Sequence, residues 1–209
     1  MTISTYAELK TEVADWAHRS DLTAKMDTFC QFAEQIINNG FELNGRTVGG
    51  LRSKEMVKRS SQSFNATFFA LPSDYLEMIA LEIEFSGGRV PIRQVSQQIL
   101  DSTYSTATGN PRAFSIIGDE IEFRPGIDAA SPYTGEITYY AAVPTLVTNS
   151  TNNILSATPM VYLAAMLLAV AIYLQDDEMA ATWFNTLASY TKGANKTAGQ
   201  NVLPTIQVM

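Results

Sequence analysis

The strongest hydrophobic pattern in the chain lies at residues 158–191, where it predicts two consecutive helices. Every residue from 160 to 174 is apolar or tyrosine, so the first helix has no polar face and must be surrounded by protein. Thr158 is a candidate cap, and Pro159 suits the first turn of a helix. A membrane span needs about 20 apolar residues, and this run is shorter. Acidic residues also follow it at 176–178. We therefore predict a buried helix and not a transmembrane one.

The second of these helices follows a tight turn at about 175–177, with Asp177 as its candidate cap. Its apolar residues recur at a spacing of three and four, which is typical of a helix with one buried face. They are Met179, Ala180, Trp183, Phe184, Leu187, Ala188, Tyr190 and Thr191. The short connection predicts that the two helices are antiparallel neighbours.

Two further amphipathic helices are predicted near the N-terminus. Thr5 and Glu8 match a capping box, and an apolar face then continues to about His18. That face contains Tyr6, Leu9, Val13, Trp16 and Ala17. The next helix begins near 22–24 and weakens at Gly40, with Met26, Phe29, Cys30, Ala33, Ile36 and Ile37 on one side. The apolar faces of both N-terminal helices must pack against other elements. We predict that they pack against the helices at 158–191.

The middle of the chain has the pattern of a β-rich region. Runs rich in aromatic and β-branched residues, divided by turn residues, predict six strands. They lie near 64–71, 78–85, 89–95, 113–117, 120–124 and 135–142. A short helix is predicted at 96–103, a polar linker at 149–153 and a connection at 44–63.

These patterns predict an α+β fold in three parts. An antiparallel helical bundle is formed by residues 1–45 and 154–191. A connecting segment and a β-rich antiparallel domain, residues 46–153, are inserted between its two halves. Residues 192–209 form an extended C-terminal tail, which either frays or docks on a neighbour as an added strand. The candidate docking residues of this tail are Val202, Leu203, Ile206 and Val208.

The composition is that of a folded protein, with 46% hydrophobic and 17% charged residues. A formal net charge of −7 makes the chain as a whole unsuited to coating nucleic acid, because acidic surfaces repel phosphate. The single cysteine, Cys30, excludes an intrachain disulfide framework and fits synthesis in a reducing cytoplasm. The first residues lack the pattern of a signal peptide, so we expect no secretory export.

Catalytic and metal-binding patterns are missing from the sequence. His18 is the only histidine and Cys30 the only cysteine, so a Cys/His zinc cluster cannot form. We interpret His18 as a residue favourable to a helix dipole and Cys30 as a small core residue. The sequence contains neither a glycine-rich phosphate loop nor a Gly-x-Ser-x-Gly elbow. We therefore expect no enzyme activity, no cofactor and no metal.

Two sets of charged residues are candidates for contact surfaces. The basic set is Arg46, Arg52, Lys54, Lys58 and Arg59, and the acidic set is Glu82, Glu84, Glu120 and Glu122. The basic set has three interpretations: a nucleic-acid patch, a solvated loop, or a contact with an acidic partner or neighbouring subunit. The acids alternate with Ile and Phe in segments 81–85 and 119–123, which predicts an exposed acidic face on a sheet.

Motifs along most of the chain, taken in order, resemble the head-to-tail adaptor (head-completion or connector) proteins of tailed bacteriophages, particularly podovirus-like ones. The N-terminal motifs are Thr5-Tyr-Ala-Glu-Leu-Lys10, Trp16, His18-Arg-Ser-Asp-Leu22, Phe32-Ala-Glu34 and Ile37. The central ones are Leu71-Pro-Ser-Asp-Tyr-Leu-Glu77, Gly109-Asn-Pro111, Phe114, Gly118, Ile121, Phe123, Pro125, Tyr139-Tyr140 and Pro144. The C-terminal ones are Tyr162-Leu163, Ala169, Tyr173-Leu174, Asp176-Asp-Glu178 and Trp183.

The resemblance implies a structural virion protein that is synthesised in the bacterial host cytoplasm and located in the neck of the particle. It implies a homo-oligomeric, dodecameric ring that joins the capsid portal protein to tail or nozzle proteins and extends the DNA channel. Genomic DNA would pass through without sequence-specific binding, and neither a membrane nor catalysis is involved. The tail would reach the portal or a neighbour. The alternatives are a DNA-binding accessory protein acting through 46–59 and, more distantly, a carbohydrate-active tail component.

Overall fold

The computed structural model describes residues 3–199, which form a mixed α and β fold, so the predicted α+β class is confirmed. The helices are α1 (Tyr6–Ala17), α2 (Met26–Asn39), α3 (Gln97–Thr103), α4 (Asn153–Ala157), α5 (Pro159–Leu174) and α6 (Asp177–Gly199). The strands are β1 (Gly40–Leu43), β2 (Arg46–Gly49), β3 (Val57–Phe64), β4 (Phe68–Ala70), β5 (Tyr75–Phe85), β6 (Gly88–Pro91), β7 (Arg93–Gln94), β8 (Ala113–Ile117), β9 (Glu120–Arg124) and β10 (Tyr133–Ala141). Single 3₁₀ turns at Thr23–Lys25 and Lys54–Met56 precede α2 and β3.

Two compact units make up the chain. Within the described residues, the helical unit contains 3–56 and 142–199, and the β unit is Val57–Ala141. The helical unit therefore holds all the helices except α3, together with the β1–β2 hairpin. Segments 46–56 and 142–153, which the sequence pattern assigned to the insertion, lie in the helical unit.

Helix α5 is the centre of the helical unit. All its residues from 161 to 171 are buried, and it packs against α1, α2, α4 and α6. The prediction of a surrounded helix is confirmed for residues 161–171, because a segment with no polar face needs neighbours on every side, but it is wrong for the last turn, where Ile172 and Tyr173 are exposed. Among residues 3–199, no helix combines the length and the apolar character that a membrane crossing requires.

Three predicted helix caps have different outcomes. The capping box of α1 is confirmed, because the Thr5 hydroxyl and the Glu8 carboxylate each accept a backbone N–H of the other residue. Thr158 occupies the N-cap position of α5, as predicted, but its side chain makes no capping hydrogen bond, since its hydroxyl donates to the Ile154 carbonyl of the preceding helix. The cap of α6 is Asp176 and not the predicted Asp177: its carboxylate accepts the Met179 N–H at 2.9 Å.

Helix α6 continues to Gly199, although its apolar stripe had predicted an end near Thr191. Asn195 explains the extra turns, because its side chain joins the helix to the segment that follows β2. Its amide N–H donates to the Gly50 carbonyl at 3.1 Å, and its Oδ1 accepts the Arg52 backbone N–H at 2.7 Å. A polar contact of this kind leaves no trace in a hydrophobic pattern.

The β unit is built from two four-stranded sheets. One has the order β3-β10-β5-β6 and is antiparallel, and the other has the order β4-β9-β8-β7, in which β7 and β8 are parallel. Both sheets contribute to one apolar core. Its members are Phe64, Leu81, Ile83, Ile92, Phe114, Ile121, Phe123, Ile127, Ile137, Tyr139 and Ala141.

The prediction of a simple connection at 44–63 is wrong. This segment contains β2, a 3₁₀ turn and most of β3, and the predicted strand at 64–71 is divided between β3 and β4 in different sheets. Strand β3 was missed because it is an edge strand with β10 as its one neighbour, so it tolerates a polar sequence. Asn44 and Gly45 form the tight turn between β1 and β2, both with positive φ.

Candidate interaction surfaces

The basic residues predicted as a contact surface are divided between the two units. Arg46, Arg52 and Lys54 belong to the helical unit, whereas Lys58 and Arg59 belong to the β unit. Adjacent residues of a strand point to opposite faces of its sheet. Lys58 lies opposite the buried Tyr139 in the register of β3 and β10, and Arg59 lies opposite Thr138 on the other face. These two cations therefore do not share a surface.

Lys58 is bound within a polar group at the end of its sheet. Its ammonium pairs with the Asp74 carboxylate, which also accepts the Tyr139 hydroxyl at 2.8 Å. Burial alone would raise the pKa of the Asp74 carboxyl, but the hydrogen bonds from Lys58 and Tyr139 outweigh it and hold that pKa below its ordinary value. Burial, together with the bond to Asp74, raises the pKa of Tyr139 to about 12.

The other members of the basic set differ in how far they are engaged. Arg52 donates to the carbonyls of Asn38 and Leu51, and the Lys54 ammonium lies 3.9 Å from the adjacent Glu55 carboxylate. Arg46 is exposed on the β1–β2 hairpin. Because most of these charges are matched within the chain, the arrangement weakens the interpretation of segment 46–59 as a nucleic-acid patch.

The acidic set includes one wrong assignment. Glu84 and Glu120 are exposed and Glu82 is half-buried, but Glu122 is only 3% exposed. Its carboxylate pairs with Arg124 and accepts the Gln97 side-chain amide at 2.8 Å. Gln97 is in α3, which packs against β8, so a helix lies over the sheet face that alternation had predicted to be open. A period of two shows which residues share a face but not whether another element covers it.

Glu82 and Glu84 lie on a sheet face of mixed charge. Glu82 is opposite Glu136 in the register of β5 and β10, and Glu84 is opposite Arg89 in that of β5 and β6. The Glu136 carboxylate lies 3.3 Å from the Arg89 guanidinium and 3.7 Å from that of Arg59. Two arginines thus partly neutralise three carboxylates on this face, which is less acidic than predicted.

The candidate docking residues of the tail, Val202, Leu203, Ile206 and Val208, lie outside the described residues. Among residues 3–199, no group of three His, Cys, Asp or Glu side chains is arranged to hold a metal ion. Cys30 is buried, as predicted, and its thiol donates to Glu34. Burial and, next, the charge of Glu34 raise the pKa of this thiol to about 12.

Two partly exposed aromatic pairs lie on the helical unit, and the hydrophobic pattern did not predict their exposure. Trp16, near the end of α1, is 50% exposed and packs edge-to-face on Trp183 of α6, with ring centroids 5.4 Å apart. Tyr173, near the end of α5, is 53% exposed and lies against Phe29. Both tryptophans had been assigned to buried stripes. The composition offered a weak signal, because these are the only two tryptophans of the chain.

A shallow surface groove of about 360 Å³ lies beside Trp183 at the start of α6. Asp176, Glu178, Met179, Thr182 and Trp183 line it. Asp176 is held in place as the cap of the helix, and Glu178 is exposed one turn before Thr182. The groove therefore combines two carboxylates with the apolar surfaces of a methionine and a tryptophan.

Comparison with protein families identifies the class of protein. The family model for the SU10 adaptor protein matches residues 4–204, so the chain belongs to the SU10 adaptor protein family. No curated protein matches the chain significantly. The predicted resemblance is thereby confirmed at the level of a bacteriophage adaptor protein, a structural component of the virion that interacts with capsid and tail components.

Proposed function

We propose that this protein forms a dodecameric ring in the neck of the virion, where it joins the capsid portal to the tail and extends the DNA channel. The observation that carries the proposal is the family match, which spans residues 4–204 of a chain of 209. A match of that extent includes both units, so the adaptor role belongs to the whole chain and not to one module.

The helical unit supplies the structural support for this role. In the proposal, α1, α2, α5 and α6 form an antiparallel bundle into which the β unit is inserted. Residues 161–171 of α5 are buried by the chain itself, whereas Trp16 of α1 and Tyr173, near the end of α5, remain about half exposed. Large exposed aromatic side chains are enriched at protein interfaces, where they contribute much of the binding energy. The proposed adaptor function therefore depends on contacts between the surface of this protein and the surfaces of its neighbours in the virion.

The charge of the chain suits a conduit for DNA. Because each subunit carries a formal net charge of −7, a ring of subunits would repel phosphate and let the genome pass without sequence-specific binding. Most of the basic segment is matched within the chain, which fits the same role. The proposed function includes no catalytic step and no cofactor.

The direct test mixes the purified protein with the portal protein of the same phage and examines the product by electron microscopy. We expect rings of this protein on one end of the portal, with the symmetry measured from class averages. A portal from an unrelated phage serves as the control, because it presents the wrong surface. Persistent failure of the full-length chain to bind its own portal would refute the proposal.

A further inference from the structure

We infer that the outer edge of β3 binds residues 202–209 of a neighbouring copy of this chain, which add to the sheet as an antiparallel strand. This inference rests on the proposed ring, and it names one contact between its subunits. Strand β3 (Val57–Phe64) lies at one edge of its sheet, with β10 as its one neighbour among the described strands. An edge strand leaves every second backbone N–H and C=O group free to pair with another chain.

The register of the sheet shows which backbone groups of β3 are free. The Leu81 carbonyl accepts the Ile92 N–H, so the backbone of Leu81 points toward β6 and away from β10. Leu81 lies opposite Ile137, whose backbone therefore points toward β3 and pairs with that of Ser60. Because this direction alternates along a strand, the outward-facing residues of β3 are Val57, Arg59, Ser61 and Ser63. Three of the four are exposed, and within residues 3–199 no turn or loop bonds to their backbone.

The other edges of the two four-stranded sheets are short or blocked. Strands β4 and β7 have three and two residues, and β6 has Pro91, which lacks an N–H, at an outward-facing position. Strand β3 has eight residues, no proline and an unbroken register with β10. Proteins usually block a long edge, because a free edge pairs with other chains. The open edge of β3 therefore indicates a strand that is paired in the assembly.

Segment 202–209 can pair along the whole of this edge, since it supplies eight residues for the eight of β3. Antiparallel pairing is the pattern of the rest of this sheet. With Val202 opposite Phe64, Pro204 lies opposite Gln62, whose backbone pairs with β10. A tail residue at this position directs its backbone nitrogen away from β3, so the missing N–H of proline removes no hydrogen bond.

The same register orders the side chains of the segment. Opposite residues of paired strands share a face, so Val202, Ile206 and Val208 lie on the face of Phe64, a fully buried residue of the β core. The other face carries Leu203, Thr205, Gln207 and Met209. A slip by one residue would move the three β-branched aliphatic side chains to the other face and turn the proline nitrogen toward β3. The proline and the β-branched residues therefore select the same register.

The inferred donor of the strand is a neighbouring copy. Helix α6, which precedes the segment, belongs to the helical unit, whereas β3 belongs to the β unit. Each copy has one such segment and one such edge, and a contact between two different surfaces of identical subunits can repeat around a ring. This is the type of contact that the proposed ring requires. Pro204, facing outward, would then prevent a further strand from adding.

The test uses cysteine pairs that distinguish both the face and the register. A full-length chain with Ser61→Cys is mixed with one carrying Thr205→Cys, assembled on the portal protein of the same phage and gently oxidised. These two positions are opposite each other in the inferred register, and the native Cys30 is buried. Ile206→Cys replaces Thr205→Cys in the first control, because it points to the other face. Ser63→Cys replaces Ser61→Cys in the second, because it is displaced by two residues.

We expect a disulfide-linked dimer with one chain of each kind, in a yield at least about tenfold above both controls, because a disulfide needs Cα atoms within about 7 Å. Nonreducing gels and mass spectrometry measure the yield, and circular dichroism verifies that each variant folds. The inference is overturned if rings form on the portal and the yield does not exceed that of the controls. It is also overturned if a chain with both Ser61→Cys and Thr205→Cys forms only an internal disulfide, since its own segment then occupies the edge. If electron microscopy shows no ring, the proposed function fails, and the inference fails with it.

Discussion

The Glu34 carboxylate accepts the backbone N–H of Leu146 at 2.7 Å, across 112 positions of sequence. One helical turn later on α2, the Asn38 side-chain oxygen accepts the backbone N–H of Val143 at 3.0 Å. Residues four apart on a helix lie on the same face. Two side chains of α2 therefore satisfy the backbone of the irregular segment that connects β10 to α4, and this pairing fixes the path by which the chain re-enters the helical unit.

Removing this contact is expected to destabilise the helical unit. Glu34 is only 7% exposed, so Glu34→Ala leaves the Leu146 N–H and the Cys30 thiol without their acceptor in a buried place. We expect a loss of about 1–3 kcal/mol in the free energy of unfolding, measured by urea denaturation. Glu34→Gln keeps an acceptor oxygen and is the matched control, with a smaller loss expected. Equal losses in the two variants would show that the hydrogen bonds are not the cause.

The polar group around Asp74 predicts a specific response to acid. The pKa of Asp74 is held below that of an ordinary aspartate, so its stabilisation is present above the usual aspartate range near pH 4 and is lost as the pH falls through that range and below it. Asp74→Asn removes this contribution of about 1 kcal/mol or less, because the pair is partly exposed. Urea unfolding at about pH 6 and pH 3 should therefore show a smaller acid effect in the variant than in wild type.

The control for this measurement is Asp119→Asn, at an exposed residue whose side chain takes part in none of the described ion pairs. Its acid effect should match that of wild type. If Asp74→Asn loses as much stability on acidification as wild type does, Asp74 is not the source of the acid effect.

The helices were largely predictable because their signals are local. The capping box at Thr5 and Glu8 and the uninterrupted apolar run of α5 identify elements without any knowledge of their neighbours. The failures at the candidate surfaces have a common physical reason. Whether Glu122 is open depends on α3, and whether Trp16 is buried depends on how far α6 covers the end of α1. Periodicity defines a face, but only packing decides whether it is covered.

The long-range polar contacts were not predictable for a related reason. Asn195 bonds to Gly50 and Arg52, and Glu34 bonds to Leu146, each across more than a hundred positions. Neither residue has a neighbour in sequence that signals the contact. Strand β3 was not predicted because an edge strand pairs on one side only and can therefore contain many polar residues. A polar sequence of this kind is also typical of a loop.

Gly135 in β10 is predicted to tolerate no side chain. A Cβ atom at this position would collide with the Glu82 carbonyl oxygen and lie 2.7 Å from the buried Phe64 ring. Gly135→Ala should therefore displace the core of the β unit and cost about 1–3 kcal/mol, seen as a lower melting temperature. Gly87→Ala is the control, because nothing lies within 4 Å of its Cβ position, and its effect should stay within about 0.5 kcal/mol. Similar melting temperatures for the two variants would refute the close packing at Gly135.

Two truncations separate the end of α6 from the tail that follows it. A chain ending at Gly199 keeps Asn195 and its bonds to Gly50 and Arg52, whereas a chain ending at Thr191 loses them. We expect the chain that ends at Thr191 to have a free energy of unfolding about 1–3 kcal/mol lower than that of the full-length chain, measured in urea. The reason is that backbone groups of the segment after β2 lose their hydrogen-bond partners. The chain ending at Gly199 should match full length within about 0.5 kcal/mol, since residues 200–209 are predicted to serve docking and not the core.

Asn195→Ala in the full-length chain is the control, and it should reproduce most of the loss. If the truncation at Gly199 destabilises the protein as much as the truncation at Thr191, the last ten residues belong to the folded core and their predicted role in docking is wrong.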